Sequence, residues 1–487
     1  MKNILTISIV FALLLTIGCS KENLDPVPQT SLSDLSVFDT KDRVVAQVNG
    51  MYALTKSGNF LGGRFFVYND VRAENFIPKS SNLVTCFATW NHSVVSSTNE
   101  VQNFWGAVYA AVNAINVFLE GLQVAWDGGK LDGKITQAEF DQFRSEALTL
   151  RALCYFDLLQ LYAKPYNIGA GANPGVPLRL TAMKSAEGND LARSTVAECY
   201  TQILKDLNDA EPLAATSYST ALLNTTRIHR NTIIALKTRV YLHMQNWANV
   251  VSESAKIVGQ STPPFSATSG VAFALNPSYA DLWTTYTSAE SIFSMPFTST
   301  NTPGTQNGLP HYFNSASSES YYLNTSAGSV YATMDDTDVR KSSLVLADGN
   351  YFLSKYPDFT TLTNYAPVIR YAEVLLNRAE ALVRSGGAVT AEALSLLNAV
   401  RTRSFPTGAY ASFATVNDFY NAILLERNME FLGEGMRNLD IMRLGIPIPA
   451  KNTSMGNVAE IPSTSTSYIW PMPANELGIN KLLTPNK

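Results

Sequence analysis

The segment from Pro367 to Gly445 most constrains the fold. Ile369, Ala372, Leu375, Leu376, Ala379, Leu382 and Val383 recur every three to four residues. That spacing puts them on one face of a helix. After a Gly386-Gly387 break the pattern returns at Ala393, Leu396, Leu397 and Val400, and again at Ala422, Leu425, Met429 and Leu432. Paired amphipathic helices joined by short breaks are expected. Earlier stretches repeat the theme: Thr40 to Thr55, Glu100 to Val124, Phe140 to Tyr162, and the hairpin Asn231–Met244 with Trp247–Val258. Thr195 with Glu198 forms a capping box for a helix ending near Leu213. A single helix pair cannot bury its apolar faces alone, so such units stack. In the hairpin, small Ala235 and Ala248 allow close approach while Tyr241 and Trp247 fill the space between. Strand signals are sparse.

Charged residues within these helices are dense: Glu373, Arg378, Glu380, Arg401, Glu426, Arg427, Glu430, Glu434, Arg437, Asp440 and Arg443. Their helical spacing predicts ion-pair ladders that brace the helices, not a catalytic cluster.

Between Ser261 and Val330 the composition changes. Lys and Arg vanish, and the only acids are Asp281, Glu290 and Glu319. Ser, Thr, Asn, Gly and Pro are interleaved with aromatic residues, so the segment reads as folded but irregular. The chain as a whole carries 16% charged and 10% aromatic residues and a formal net charge of −4. That balance gives no reason to expect nucleic acid as partner.

The N-terminus has Lys2, an apolar run from Ile4 to Ile17, then Gly18-Cys19. The run is too short for a spanning helix and fits an export signal. Gly18-Cys19 looks like a lipobox, with Cys19 as the acylated first residue, although Thr16 occupies position −3 and Leu15 lies one place early. Cys86, Cys154 and Cys199 show no staple or metal spacing and read as buried apolar residues.

Most candidate chemistry fails on spacing. Gly128 to Ile135 approaches a phosphate loop, but Ile135 stands where a hydroxyl is needed. Asp132, Gly133, Ile135 and Glu139 match the back half of a calcium loop, but Gly128 and Lys130 replace front-half ligands. A helix capped by Thr136 and Glu139 is the plainer reading. His92, His229, His243 and His311 lack metal-ligand spacing. No catalytic residue, metal or cofactor is assigned, and no enzyme is expected.

Sugars present flat C–H faces rimmed by hydroxyls, which aromatic rings and amide or charged side chains recognise together. Two places combine these residue types. One holds Tyr68, Asn69, Asp70 and Arg72 with Trp90, Asn91 and His92. The other holds Tyr279, Trp283 and Tyr286 with His311, Tyr312 and Phe313. Asn69, Asp70, Arg72, Trp90, Asn91, Tyr279, Trp283, Tyr286 and Tyr312 are the candidate ligand contacts. For any one of these aromatics, core packing is the competing reading.

Several segments together resemble the SusD/RagB family of outer-membrane nutrient-binding lipoproteins. They are Arg370-Tyr371-Ala372-Glu373, Asn377-Arg378-Ala379-Glu380-Ala381, Glu426-Arg427 through Arg443-Leu444-Gly445, Phe143 to Tyr162 with Gly175-Val176-Pro177-Leu178, Asp338-Val339-Arg340, and Trp470-Pro471-Met472-Pro473. The resemblance implies an all-α fold of tetratricopeptide-like helical repeats with a large irregular, loop-rich insertion. It divides the chain into a signal peptide (1–18), a lipidated tether (19–39), an N-terminal helical region (40–260), a ligand-facing insertion (261–366) and a C-terminal helical region (367–487). Residues 40–487 are expected to form one compact domain. The resemblance further implies a lipoprotein on the outer face of the outer membrane, binding an oligosaccharide for a SusC-like TonB-dependent β-barrel transporter. Family ligands bind a face made by the segment after the first helical pair and by the central insertion. A tetratricopeptide-type protein-binding scaffold is the alternative.

Overall fold

The computed structural model describes residues 36–185 and 187–486. The signal segment, Cys19 and the tether up to residue 35 lie outside these residues.

Eleven of the helices carry the scaffold: α1 (Lys41–Thr55), α2 (Arg64–Val71), α3 (Asn99–Asp127), α4 (Gln137–Tyr162), α5 (Val196–Ala210), α6 (Arg230–His243), α7 (Trp247–Ala255), α8 (Tyr371–Gly386), α9 (Ala391–Ser404), α10 (Val416–Glu430) and α11 (Arg437–Leu444). Their starts follow from local chemistry. Thr40 caps α1 by accepting from the Arg43 amide, and Thr136–Glu139 and Thr195–Glu198 form capping boxes for α4 and α5. Gly387, at φ +68°, closes α8 in a left-handed conformation that costs an L side chain energy.

Helices α3, α4 and α5 pack in sequence order, and α6, α7, α8 and α9 continue the stack. This is an all-α, tetratricopeptide-like architecture. Helix α4 is buried almost all round and carries polar groups into the core. Arg151 donates to both carboxylate oxygens of Asp206 on α5, at 2.8 and 2.7 Å. Cys86, Cys154 and Cys199 are buried free thiols. Ala235 is buried and Tyr241 nearly so, whereas Ala248 is exposed, so only one of the two small residues serves close approach in the α6–α7 hairpin.

Two sequence expectations are corrected. Ile369 lies in a strand, β6 (Ala366–Arg370), ahead of the helix it was expected to join. It pairs antiparallel with β2 (Ser291–Met295), with Phe293 opposite Ile369. A strand this short leaves too few residues for an alternating pattern to register. The charges, too, are mostly not ladders along one helix. They join separate elements inside the protein. Arg370, 2% exposed, donates to Glu434 and Glu430 and pairs with Glu290. Arg340 reaches Asp338, Glu426 and Glu430, and Arg443 bonds Glu380 at 2.9 and 2.7 Å. The neighbouring guanidiniums overcome burial and hold Glu430 and Asp440 well below the usual carboxylate range.

The insertion is irregular, with short helices and strands, and is stapled to the scaffold at two places. The β2–β6 pair is one. The other joins β1 (Phe76–Pro78) to β3 (Tyr321–Leu323), with Phe76 opposite Leu323 and Pro78 opposite Tyr321. This second ribbon brings the segment after α2 against the insertion and so builds the face described next.

Candidate ligand-binding face

Most of the expected contact residues are interior. Asn69 is fully buried, donating to the Phe65 carbonyl at 2.8 Å and accepting from Asn438 at 2.9 Å. Asp70 accepts from the Gly435 amide at 2.7 Å, and burial pushes its carboxyl well above the usual range. Arg72 donates to the carbonyls of Ser467 and Tyr468, at 3.1 and 2.9 Å. Trp90 is 0% exposed, and its indole N–H donates to the Phe76 carbonyl at 2.7 Å. Tyr312 is fully buried with its hydroxyl on the Gln306 carbonyl, 2.7 Å away.

Tyr279 and Trp283 roof the ion network. The Lys355 ammonium lies 4.4 Å from the Trp283 ring centroid, and Arg403 lies 5.2 Å from that of Tyr279. Cations over aromatic faces are stabilised by the ring quadrupole. These seven residues offer no open ring or amide for a ligand in this conformation. Their signal was real but structural, since large aromatics with polar neighbours also satisfy a buried ionic cluster. Asn91 is exposed, with its amide on Ser93 Oγ at 3.3 Å, and Tyr286 is half-buried.

Around Tyr286 a polar aromatic surface forms. Its ring stacks on Tyr365 with centroids 4.4 Å apart and planes at 10°. The Tyr286 hydroxyl accepts from Asn364 Nδ2, and Asn364 Oδ1 in turn accepts from the Asp358 amide at 2.9 Å. Asp358 gathers the 358–363 loop, accepting from the Thr361 amide at 2.9 Å and the Thr363 amide at 3.1 Å, with both threonine hydroxyls. Burial would raise its carboxyl, but these donors prevail and hold it well below the usual range. Next to Asp358, half-buried Phe359 lies over His311, ring centroids 6.3 Å apart and planes 24° apart. Both His311 ring nitrogens lack a hydrogen-bond partner. Burial lowers its pKa, against the pull of nearby Glu319, so the imidazole is neutral at pH 7, with one donor and one acceptor left unbonded beneath the surface.

Glu319 carries the surface across to the segment after α2. It accepts from Ser80 Oγ and, at 3.3 Å, from Thr85 Oγ1. Arg64 Nη2 ties the two segments further, donating to the Val84 and Gln306 carbonyls at 3.1 Å each. Leu83 and Val84 stand exposed beside them. The face therefore runs from Tyr365 and Tyr286 through Phe359 to Glu319 and Leu83, with Asn364 and His311 buried behind it. It has flat rings, paired amide and hydroxyl groups, and few charges. Sequence reasoning missed Tyr365, Asn364, Asp358 and Phe359. The run Asp358-Phe359-Thr360-Thr361-Leu362-Thr363-Asn364-Tyr365 has the same Thr, Asn and aromatic mixture as residues 261–330 and could have been found by extending that window.

Comparison with known proteins decides the family. A family model described as starch-binding and associating with the outer membrane matches residues 22–242, and a SusD family model matches residues 301–487. A crystal structure of a SusD superfamily protein from Bacteroides fragilis superposes with TM-score 0.82 at 30% identity, covering 92% of this chain and 100% of that one. The chain belongs to the SusD family. Within the SusD family, the SusD-like protein P38 of Formosa agariphila is 24% identical over 100% of this chain and 99% of its own. A laminarin-binding SusD-like protein shares the fold at TM-score 0.71 and 21% identity, covering 92% and 99% of the two chains.

Proposed function

We propose that this SusD-family protein is a non-catalytic cell-surface lipoprotein that binds an oligosaccharide and passes it to a SusC-like TonB-dependent β-barrel transporter. The observation that carries the reading is the stacked Tyr286–Tyr365 pair, held by Asn364 beside the threonine-rich 358–363 loop. A pyranose ring laid on such a platform buries C–H surface, while the Tyr and Thr hydroxyls beside it exchange hydrogen bonds with the sugar hydroxyls. The match to a family described as starch-binding supports a glycan as ligand, and so do relatives such as the laminarin-binding protein. Cys19, acylated, would hold the protein on the outer face of the outer membrane. Asn91 is retained as a peripheral contact.

A peptide-binding scaffold has a place to act as well. A cleft of about 510 Å³ opens between Pro263, Pro264 and Phe265 and the α9 residues Asn398 and Thr402. Isothermal titration with a panel of neutral oligosaccharides and a peptide pool separates the readings. Saturable heat with at least one glycan is expected, and heat from peptides alone would reject the glycan reading. Copurification with a SusC-like β-barrel tests the transporter, and absence of one from mild-detergent extracts would count against delivery.

A further inference from the structure

The side of the molecule formed by the 89–96 loop and the C-terminal 461–471 segment holds a second cleft, of about 250 Å³. Arg72, Thr89, His92, Ser96, Ser467 and Trp470 line it. We propose that this cleft is a binding site for a small oxyanion, a carboxylate or sulfate group.

Two buried donors in its wall have nothing to bond. Arg72 is 2% exposed and Trp470 0% exposed, and neither Arg72 Nη1 nor Trp470 Nε1 has a hydrogen-bond partner. Both groups can only donate, so the missing partner is an acceptor. A buried polar group left unbonded is costly, and native interiors pair nearly all of them.

Among the described residues, the cations around the cleft lack acid partners. Arg72 makes no ion pair among the described residues; its other bonds go to the Ser467 and Tyr468 carbonyls. Lys451, 3% exposed, donates to the Val71 carbonyl at 3.0 Å and to that of Trp90, and has no acid partner either. Lys164 donates to the Ser463 and Ser465 carbonyls, at 2.7 and 2.6 Å. Of the acids behind the wall, Glu74 is engaged by Arg437 at 2.9 and 2.6 Å, and Glu100, which accepts from Thr89, has its pKa raised by burial to about 7. His92 Nε2 sits 3.2 Å from the Lys451 ammonium, and burial together with that ammonium lowers the imidazole pKa to about 3, so it adds no charge. Buried cations are ordinarily paired, and among the described residues no carboxylate pairs with Arg72 or Lys451. Burial with no carboxylate nearby depresses the pKa of Arg72, an effect that a bound anion would reverse.

The size of the cleft limits the ligand. It falls below the roughly 300–1,000 Å³ of pockets that enclose drug-sized molecules. An inorganic oxyanion or a single sugar acid fits, whereas a long chain would enter only by its charged end. The site shares no residue with the Tyr286–Tyr365 face, so it stands or falls separately from the oligosaccharide reading.

The test is calorimetric titration of the full-length protein with sodium sulfate, sodium glucuronate and glucose, against sodium chloride of equal ionic strength. Saturable heat from sulfate and glucuronate, and none from glucose, is the expected result. Binding of both means the oxyanion suffices, and binding of glucuronate alone means the sugar ring is gripped as well; either outcome supports the site. Trp470→Phe removes one donor while keeping most of the ring, and should weaken binding about five-fold or more, the worth of one hydrogen bond. Arg72→Met should abolish it. If Arg72→Met does not fold, Trp470→Phe alone decides. Tyr286→Ala should leave anion binding unchanged. Heat no greater than that of chloride, as a water-filled cleft would give, overturns the proposal. So does wild-type affinity in Trp470→Phe.

Discussion

Arg370 closes a two-pronged bond on Glu434, Nε to Oε2 at 2.8 Å and Nη2 to Oε1 at 2.9 Å. Arg370 ends the strand that holds the insertion, and Glu434 sits in the turn between α10 and α11. The same guanidinium meets Glu290 and Glu430, so one cation ties the insertion to the C-terminal helices. The cluster is roofed by Trp283, whose ring centroid lies 5.4 Å from the guanidinium carbon. An ionic network this deep fixes geometry more than it adds stability, because desolvation offsets much of the attraction. Breaking it is another matter. Arg370→Met leaves three carboxylates short of a partner and should cost about 3–5 kcal/mol. Urea denaturation reads this directly, and a loss under 1 kcal/mol would contradict it.

Trp90 and Trp283 act as core residues. Replacing either by Ala removes a large buried ring and should lower stability by about 3–5 kcal/mol. Glycan affinity measured below the melting transition should stay near wild type. An unchanged melting temperature with lost binding would return that residue to the ligand face.

How far the sequence reached depends on the length over which each signal is written. Helices carry theirs over many residues, so α3 and α4 fall within a few residues of where periodicity puts them. The capping boxes at Thr136 and Thr195 are local chemistry and were readable as such. Strands of three to five residues carry too short a pattern to show, so Ile369 in β6 reads as part of the helix that follows. Burial was the harder failure. Asn69, Asp70 and Trp90 look like a sugar site in one dimension, yet Asp70 faces the amide of Gly435, hundreds of residues away. There φ is +74° and a Cβ would meet the Phe66 backbone at 2.7 Å. No local pattern announces such a contact. Conversely, Tyr286 stacks on Tyr365 from far along the chain, a nonlocal contact.

Glu100 makes stability depend on pH. Burial raises its pKa to about 7, against the lowering effect of Thr89, which donates to it by hydroxyl and amide. In the unfolded chain a glutamate titrates near 4.3. The native state therefore keeps a proton that the unfolded state gives up, and stability falls as pH rises from about 4.5 to about 7. The contribution lost is roughly 4 kcal/mol. Denaturation of wild type and Glu100→Gln across pH 4–8 should show the two converging at low pH and parting toward pH 7, with the variant holding its stability better. Parallel curves would contradict the assignment.

Cys19 should carry the lipid. Cys19→Ser is expected to release the protein from the membrane fraction and to remove acyl chains from its mass spectrum. Membrane retention of Cys19→Ser at the wild-type level would point to another attachment.

The proposed sugar site is the Tyr286–Tyr365 platform. Calorimetric titration of wild type and of Tyr286→Ala/Tyr365→Ala with the best neutral oligosaccharide tests it most directly. Each aromatic stacking contact is worth about 0.5–1.5 kcal/mol beyond its buried area. The double variant should therefore bind at least ten-fold more weakly while keeping a melting temperature within a few degrees of wild type. Equal affinity in the two proteins would contradict the account.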